Sequence, residues 1–365
     1  MNAMATFVAK TARPTVPGDR SASGVIVVAL LLILLAAGVF ASLVTGPTGV
    51  GLPDLIAYFS GRSAEMSPQD LAIMEAVRLP RTALGILVGA GLGVSGAMMQ
   101  GLFRNPLADP GIVGVTSGAA FAAVCAIVLG GTVLAPVQAF LGNQFLPIMA
   151  FAGGLANTFL LYAIATRNGQ TSTTALILSG IAIGAMSAAA TGLLIFIADD
   201  RALRDITFWS LGSLGGATYA KILATLPFIL FVLVIIPFVA RGLDALVLGD
   251  AAAFHMGIPV QRLKRWSIVA VAAACGATVA VAGSISFVGI VVPHLLRLAI
   301  GPSHRFLLPA SAIGGSALLL FADSIARTVA APAELPIGII TAILGAPVFL
   351  FLLLGRSGRA AMDGL

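Results

Sequence analysis

The chain has 365 residues, 59% of them hydrophobic and only 9% charged, with a mean hydropathy of +1.07. A soluble domain is about 25% charged and under half apolar, so this composition excludes a soluble globular protein and describes a polytopic membrane protein. The net charge of +6 does not signal nucleic acid, because the basic residues are scattered through short loops and form no basic and aromatic patch.

Residues 1–23 carry Lys10, Arg13 and Arg20 and read as a cytoplasmic N-terminal segment. The uncharged stretch 24–44 that follows is long enough to span a hydrocarbon core and too long for the apolar region of a cleavable signal peptide. Next comes RLPRTALGILVGAG, residues 78–91, where Pro80 predicts a helix start directly behind two cations. A helix N-terminus disfavours positive charge. Arg78 and Arg81 therefore either anchor the helix among lipid headgroups or meet a specific partner.

Apolar runs measured against the roughly 20 residues of a membrane span predict helices near 24–44, 82–103, 111–135, 145–166, 174–198 and 222–240. The run 266–300 is too long for one helix and is interrupted by Gly283, Gly289 and Pro293, which predicts two spans, the second irregular. Segments 306–326 and 337–354 complete ten. The expected organisation is one all-α permease domain over 24–355, with a cytoplasmic loop at about 241–265 and a tail at 356–365. Both termini then lie inside. That topology puts Lys10, Arg13, Arg20, Arg104, Arg167, Arg241, Arg262, Lys264, Arg265, Arg297, Arg305, Arg356 and Arg359 inside, and Arg62, Arg78, Arg81, Arg201, Arg204, Lys221 and Arg327 outside, an asymmetry in the expected sense.

Glycine and alanine are dense within the spans, as in GILVGAGLGVSGAMM, and predict close helix packing rather than a nucleotide fingerprint. Cys125 and Cys275 fall in apolar stretches without metal-ligand spacing, so packed thiols and no metal site are expected. None of Lys10, Lys221 and Lys264 follows a GxxxxGK[ST] loop, so the chain has no P-loop of its own. The spans also lack the mid-membrane carboxylates of ion-coupled carriers; Asp323, near an outer end, is the nearest acidic residue. A solute moved by this chain would draw its energy from another subunit.

The inner loop RGLDALVLGDAAAFHMGIPVQRLKRW supplies a place for such a subunit to dock. Asp250 is expected as an N-cap, Gly257 as a C-cap and Pro259 as the start of a second short helix. An ordinary loop held by anionic lipid is the plain alternative.

RLPRTALGILVGAGLGVSGAMMQGLFRNPLADPGIVGVTSGAA, LGDAAAFHMGIPV, SFVGIVVPHLLRL and ELPIGIITAILGAPVFLFLL together resemble the FecCD family, permease subunits of ATP-driven importers for iron-siderophores, haem and cobalamin. The resemblance implies a type II importer fold in the bacterial inner membrane: a homodimer, two cytoplasmic ATPases that hold ATP and magnesium, and a periplasmic binding protein, with no cofactor in this chain. It implies that Arg78, Arg81 and Arg327 form an outer basic patch that docks the binding protein. It implies ATPase coupling through Leu248, Gly249, Asp250, Ala251, Ala252, Phe254, His255, Met256, Gly257, Ile258 and Pro259. Thr173 and Thr174 match the cytoplasmic gate, although Ser172 or Thr173 could simply cap a helix.

The segment IADDRALRDITFWSLGSLGG, residues 197–216, is similar to haem-importing members. Haem is therefore the expected cargo, with Met98 and Met99 as possible path residues, although methionines in packed helices usually fill core space. His294 belongs to a motif shared across substrates, so a ligand role is not expected for it, nor for His255 or His304. The alternatives are a ferric-siderophore or cobalamin permease, an ion-coupled carrier, and a membrane enzyme. The last lacks any convergent polar set.

Overall fold

The computed structural model describes residues 21–331 and 333–354; the predicted N-terminal segment up to Arg20 and the tail with Arg356 and Arg359 lie outside the described residues. Among the described residues seven helices are long and apolar enough to cross a membrane, and three shorter apolar helices accompany them. In chain order the ten are α1 (Ser21–Val44), α4 (Leu79–Phe103), α5 (Val115–Leu129), α7 (Phe145–Ala165), α8 (Thr173–Phe196), α10 (Tyr219–Leu246), α12 (Val260–Ala282), α13 (Val288–Ile300), α14 (His304–Val329) and α15 (Ile337–Leu354). Five short helices lie between them: α2 (Leu52–Phe59), α3 (Pro68–Ile73), α6 (Ala135–Leu141), α9 (Asp200–Leu211) and α11 (Asp250–His255).

Helix α4 is the axis of the bundle, and its glycines explain why. Gly89 and Gly93 face Gly315 and Ser311 of α14, Gly85 faces Leu320, and Gly101 meets His304, so the two helices run antiparallel with their backbones in contact. On another face Gly96 abuts the backbone of Gly289 in α13. A Cβ at Gly89 would stand 2.5 Å from the Gly315 carbonyl oxygen, a separation that only glycine permits. Small residues allow this approach, and the contact is van der Waals because lipid offers no hydrophobic drive between helices.

Two boundaries differ from expectation. Pro80 does not open the helix. Ser67 caps α3 by accepting from the Asp70 amide at 3.1 Å, and a π turn, Met74–Arg78, joins α3 to α4 without a break. A proline lacks the N–H for an i to i−4 bond, and a π turn takes up the mismatch. The helix N-terminus therefore lies at Pro68, and its dipole does not act on Arg78. Likewise Pro259 does not start a second short helix: it stands at the N-cap of the 23-residue α12.

The irregular eighth span is present. After α12, Gly283 adopts φ +73° against the Trp209 carbonyl, Phe287 is left-handed at φ +69°, and α13 has 13 residues with Pro293 inside. Such backbone is tolerated at membrane depth because protein surrounds it; Ser213 N, for instance, donates to the Ala282 carbonyl at 2.8 Å. Sequence reading also missed a two-residue ladder, Thr166–Arg167 with Gln170–Thr171. Asn168 and Gly169, both at positive φ, close it as a tight hairpin.

Candidate functional site at the two ends of the bundle

At one end Arg78, Arg81 and Arg327 converge. They do so inside the fold: their exposures are 2%, 4% and 3%. Arg81 reads Asp323 through Nε (3.1 Å to each carboxylate oxygen) and Nη2 (2.9 Å), and its Nη1 donates to Glu334 at 2.8 and 3.0 Å. Arg327 Nε stands 3.1 Å from the other Asp323 oxygen, one helical turn away on α14. Its Nη2 donates to the Ser42 carbonyl (3.1 Å) and its Nη1 to that of Thr45 (3.2 Å). Arg78 donates to the Leu43 carbonyl and to Thr48 Oγ1.

Ser42 and Leu43 are in the last turn of α1, where carbonyls have no partner within the helix. Two guanidinium groups satisfy them, and cations are favoured at a helix C-terminus. The cluster thus clasps α1, α4, α14 and the segment before α15 together. Three arginines against Asp323 and Glu334 leave an excess of one positive charge. The three arginines thus form a buried clasp rather than an exposed basic patch, with Glu334, whose side chain is 40% exposed, and Thr48 reaching the surface. Asp323, read from sequence as a carboxylate near an outer end, is 1% exposed and held by two arginines.

A second carboxylate is held within the fold. Asp109 accepts from the Gly111 amide at 2.7 Å, capping a 3-10 turn. It lines a cavity of about 20 Å3 with Thr116, Cys275 and Ser284.

The opposite end holds the loop to which the resemblance assigns ATPase coupling. Helix α11 begins at Asp250 itself, with Gly249 at φ +100° as the N-cap, so Asp250 is the first helical residue rather than the cap. Gly257, at φ +82°, ends the helix as expected: its N–H bonds the Phe254 carbonyl and that of Ile258 bonds Ala253. This is the left-handed close that glycine makes possible. Leu248, Phe254 and Met256 are exposed at 69%, 69% and 52%, three large apolar side chains on one short loop, the composition of an interaction surface. Ala251 and His255 stand beside them, and Ala252 and Ile258 are half-buried.

Lys264 joins this loop to the bundle. Its stem is buried in the second turn of α12, and Nζ donates to Asp250 (2.5 Å) and to the Thr171 carbonyl (3.1 Å). The Thr171 amide in turn donates to Gln261 at 2.8 Å. One ammonium therefore ties the coupling helix to the hairpin from which α8 begins. The N-cap there is Ser172, accepting from Ala175 at 3.2 Å. That leaves the hydroxyls of Thr173 and Thr174, the second exposed, free of the capping role. Lys264 was read only as an inner-face charge; its partners lie 14 and 93 residues away, beyond any local pattern.

Met98 and Met99 are both fully buried in the core around α4, the space-filling place usual for methionines in packed helices. His304 is buried and bonded to Asp244 at 2.7 Å, and His294 is half-buried on α13. No group of three metal-ligating side chains occurs among the described residues.

The FecCD transport family matches residues 31–355. The hemin transport system permease protein HmuU of Yersinia pestis is 45% identical over 278 residues, 76% of this chain and 82% of that one. The cobalamin import system permease protein BtuC of Halobacterium salinarum is 44% identical over 288 residues, 79% of this chain and 75% of that one. An inward-facing structure assigned to the metal-chelate class of ABC transporter superposes with a TM-score of 0.76 at 31% identity, covering 89% of this chain and 98% of the other.

Proposed function

Because the chain belongs to the FecCD transport family, we propose that it is the membrane-spanning half of a haem importer, driven by a separate ATPase at the coupling loop and fed by a binding protein at the clasp. The observation that carries this reading is the Lys264 junction. An ATPase gripping Leu248, Phe254 and Met256 would pull on α11, and the ammonium shared by Asp250 and Thr171 would pass that displacement to Thr173 and Thr174 at the head of α8. The chain then performs no chemistry; its work is to switch between two packed arrangements whose balance the motor biases.

A second copy of the chain would cover α8. Only Leu176 and Ile183 of that helix are buried, and Gly184 and Gly192 have no neighbour within 4 Å where a Cβ would stand. Such small-residue positions let a partner helix approach closely. In the bacterial inner membrane, with both termini cytoplasmic, the coupling loop faces the ATP pool. The clasp then faces outward, where docking by a binding protein would proceed by exchange: a partner carboxylate replaces Glu334 on Arg81, steered by the excess positive charge.

Haem as cargo rests on the segment 197–216 together with the hemin permease relative. In the fold that segment forms α9, capped by Asp199, which accepts from Ala202 at 2.7 Å, with Arg201, Arg204 and Phe208 exposed. The cobalamin relative is nearly as similar, so cobalamin is the second reading and a ferric siderophore the third. ATP-dependent uptake of each by the reconstituted complex separates them: the proposal expects haem to accumulate. Transport of cobalamin or a siderophore alone would move the cargo assignment and leave the permease reading in place.

A further inference from the structure

A groove of about 710 Å3 runs between α10 and α12 at the coupling-loop end. Phe231, Val234, Phe238 and Trp266 form its wall, and Arg241 and Arg262 stand at its mouth. Phe238, Val234 and Trp266 are exposed at 78%, 64% and 50%. On helices that cross a bilayer the neighbour of such side chains is an acyl chain. Both arginines are exposed, and among the described residues neither forms an ion pair. The contrast with a second groove is informative. That one, about 380 Å3 between α7, α10 and α12, carries a single cation, Arg265.

We propose that the groove binds one anionic phospholipid of the adjoining leaflet, its phosphate held between Arg241 and Arg262 and an acyl chain laid along Val234 and Phe238. Each guanidinium offers a planar fork that matches phosphate oxygens. Trp266, apolar in body with one N–H donor, suits the boundary between headgroup and hydrocarbon. Two uncompensated cations select net negative charge; a zwitterionic lipid brings the same phosphate together with a cation that they repel. The groove also includes Ile258 and Pro259, the end of the coupling loop, so the lipid braces that loop against α10. Leaflet charge thereby becomes a term in coupling, independent of which cargo is carried.

Trp209 and Trp266 are the chain's two tryptophans, which provides the probe. The full-length chain carrying W209F is placed in nanodiscs with acyl-brominated phosphatidylglycerol or acyl-brominated phosphatidylcholine, and quenching of Trp266 is followed against mole fraction. Half-quenching by phosphatidylglycerol is expected at a lower mole fraction, by about fivefold for each arginine. R241Q/R262Q removes the preference while phosphatidylcholine still quenches, which shows the groove intact; R265Q keeps the preference. Equal quenching by the two lipids, or a preference that survives R241Q/R262Q, overturns the proposal. So does a preference lost when the partner ATPase binds, which would assign the groove to that protein.

Discussion

The two ends of the bundle handle charge in opposite ways. At the clasp, three arginines and Asp323 are withdrawn from solvent and saturate one another and the end of α1. At the coupling loop a single buried ammonium does the joining, while apolar side chains are left outside. A desolvated ion cluster is costly to disrupt and so holds geometry. A loop with exposed Leu248 and Phe254 is incomplete without a partner. One end is built to stay assembled and the other leaves apolar side chains open, so a force applied at the loop, as proposed above, would have something fixed to work against.

The contrast can be broken most severely at Asp323. D323A leaves Arg327 buried without a carboxylate and Arg81 with Glu334 alone, and the expected cost is about 3–5 kcal/mol. It is read as loss of the monodisperse peak in detergent and a lowered thermal midpoint; a variant that melts with wild type would show the clasp to be dispensable. The coupling loop should respond in the opposite sense. F254A is expected to leave the melting temperature within error, because that side chain is 69% exposed, yet to weaken ATPase binding by about 2 kcal/mol, the size of an interface hot spot. Titration of the partner against immobilised permease measures it.

The junction between loop and bundle lies between these extremes. K264M keeps the apolar stem but leaves the Thr171 carbonyl without its donor, for about 1–3 kcal/mol of stability. Its sharper signature is a fall in solute moved per ATP hydrolysed, measured in proteoliposomes, because α11 and α8 would no longer move together. The smallest effect is expected at Glu334. Half-exposed salt bridges contribute about 1 kcal/mol or less, so E334Q should melt almost with wild type while changing the association rate of the binding protein and its dependence on salt.

Much of this fold was legible in one dimension. The spans follow from hydropathy, the glycine packing of α4 from GILVGAGLGVSG, and the close of α11 from Gly257, because each depends on residues a few positions apart. The meaning of Arg78 and Arg81 was not legible. Proline at residue 80 suggested a helix start, whereas the π turn carries the helix through it, and the counter-charge for Arg81 lies 242 residues downstream. The pairing of Asp323 with Arg327 at i and i+4 was a local signal that was available, and it would have pointed to a buried pair within α14. Met98 and Met99 show the same limit from the other side. Spacing places them on a glycine-rich helix, and only the packing of α13 and α14 around that helix shows both to be core.

The central claim is that force enters at residues 248–259 from a motor this chain does not contain. The most direct measurement is solute accumulation in proteoliposomes holding the permease, with and without its ATPase, under ATP or under an ion gradient. The account predicts accumulation only when ATPase, ATP and an intact Phe254 are all present. Accumulation by the permease alone on a proton or sodium gradient, or ATP hydrolysis by the isolated chain, would contradict it.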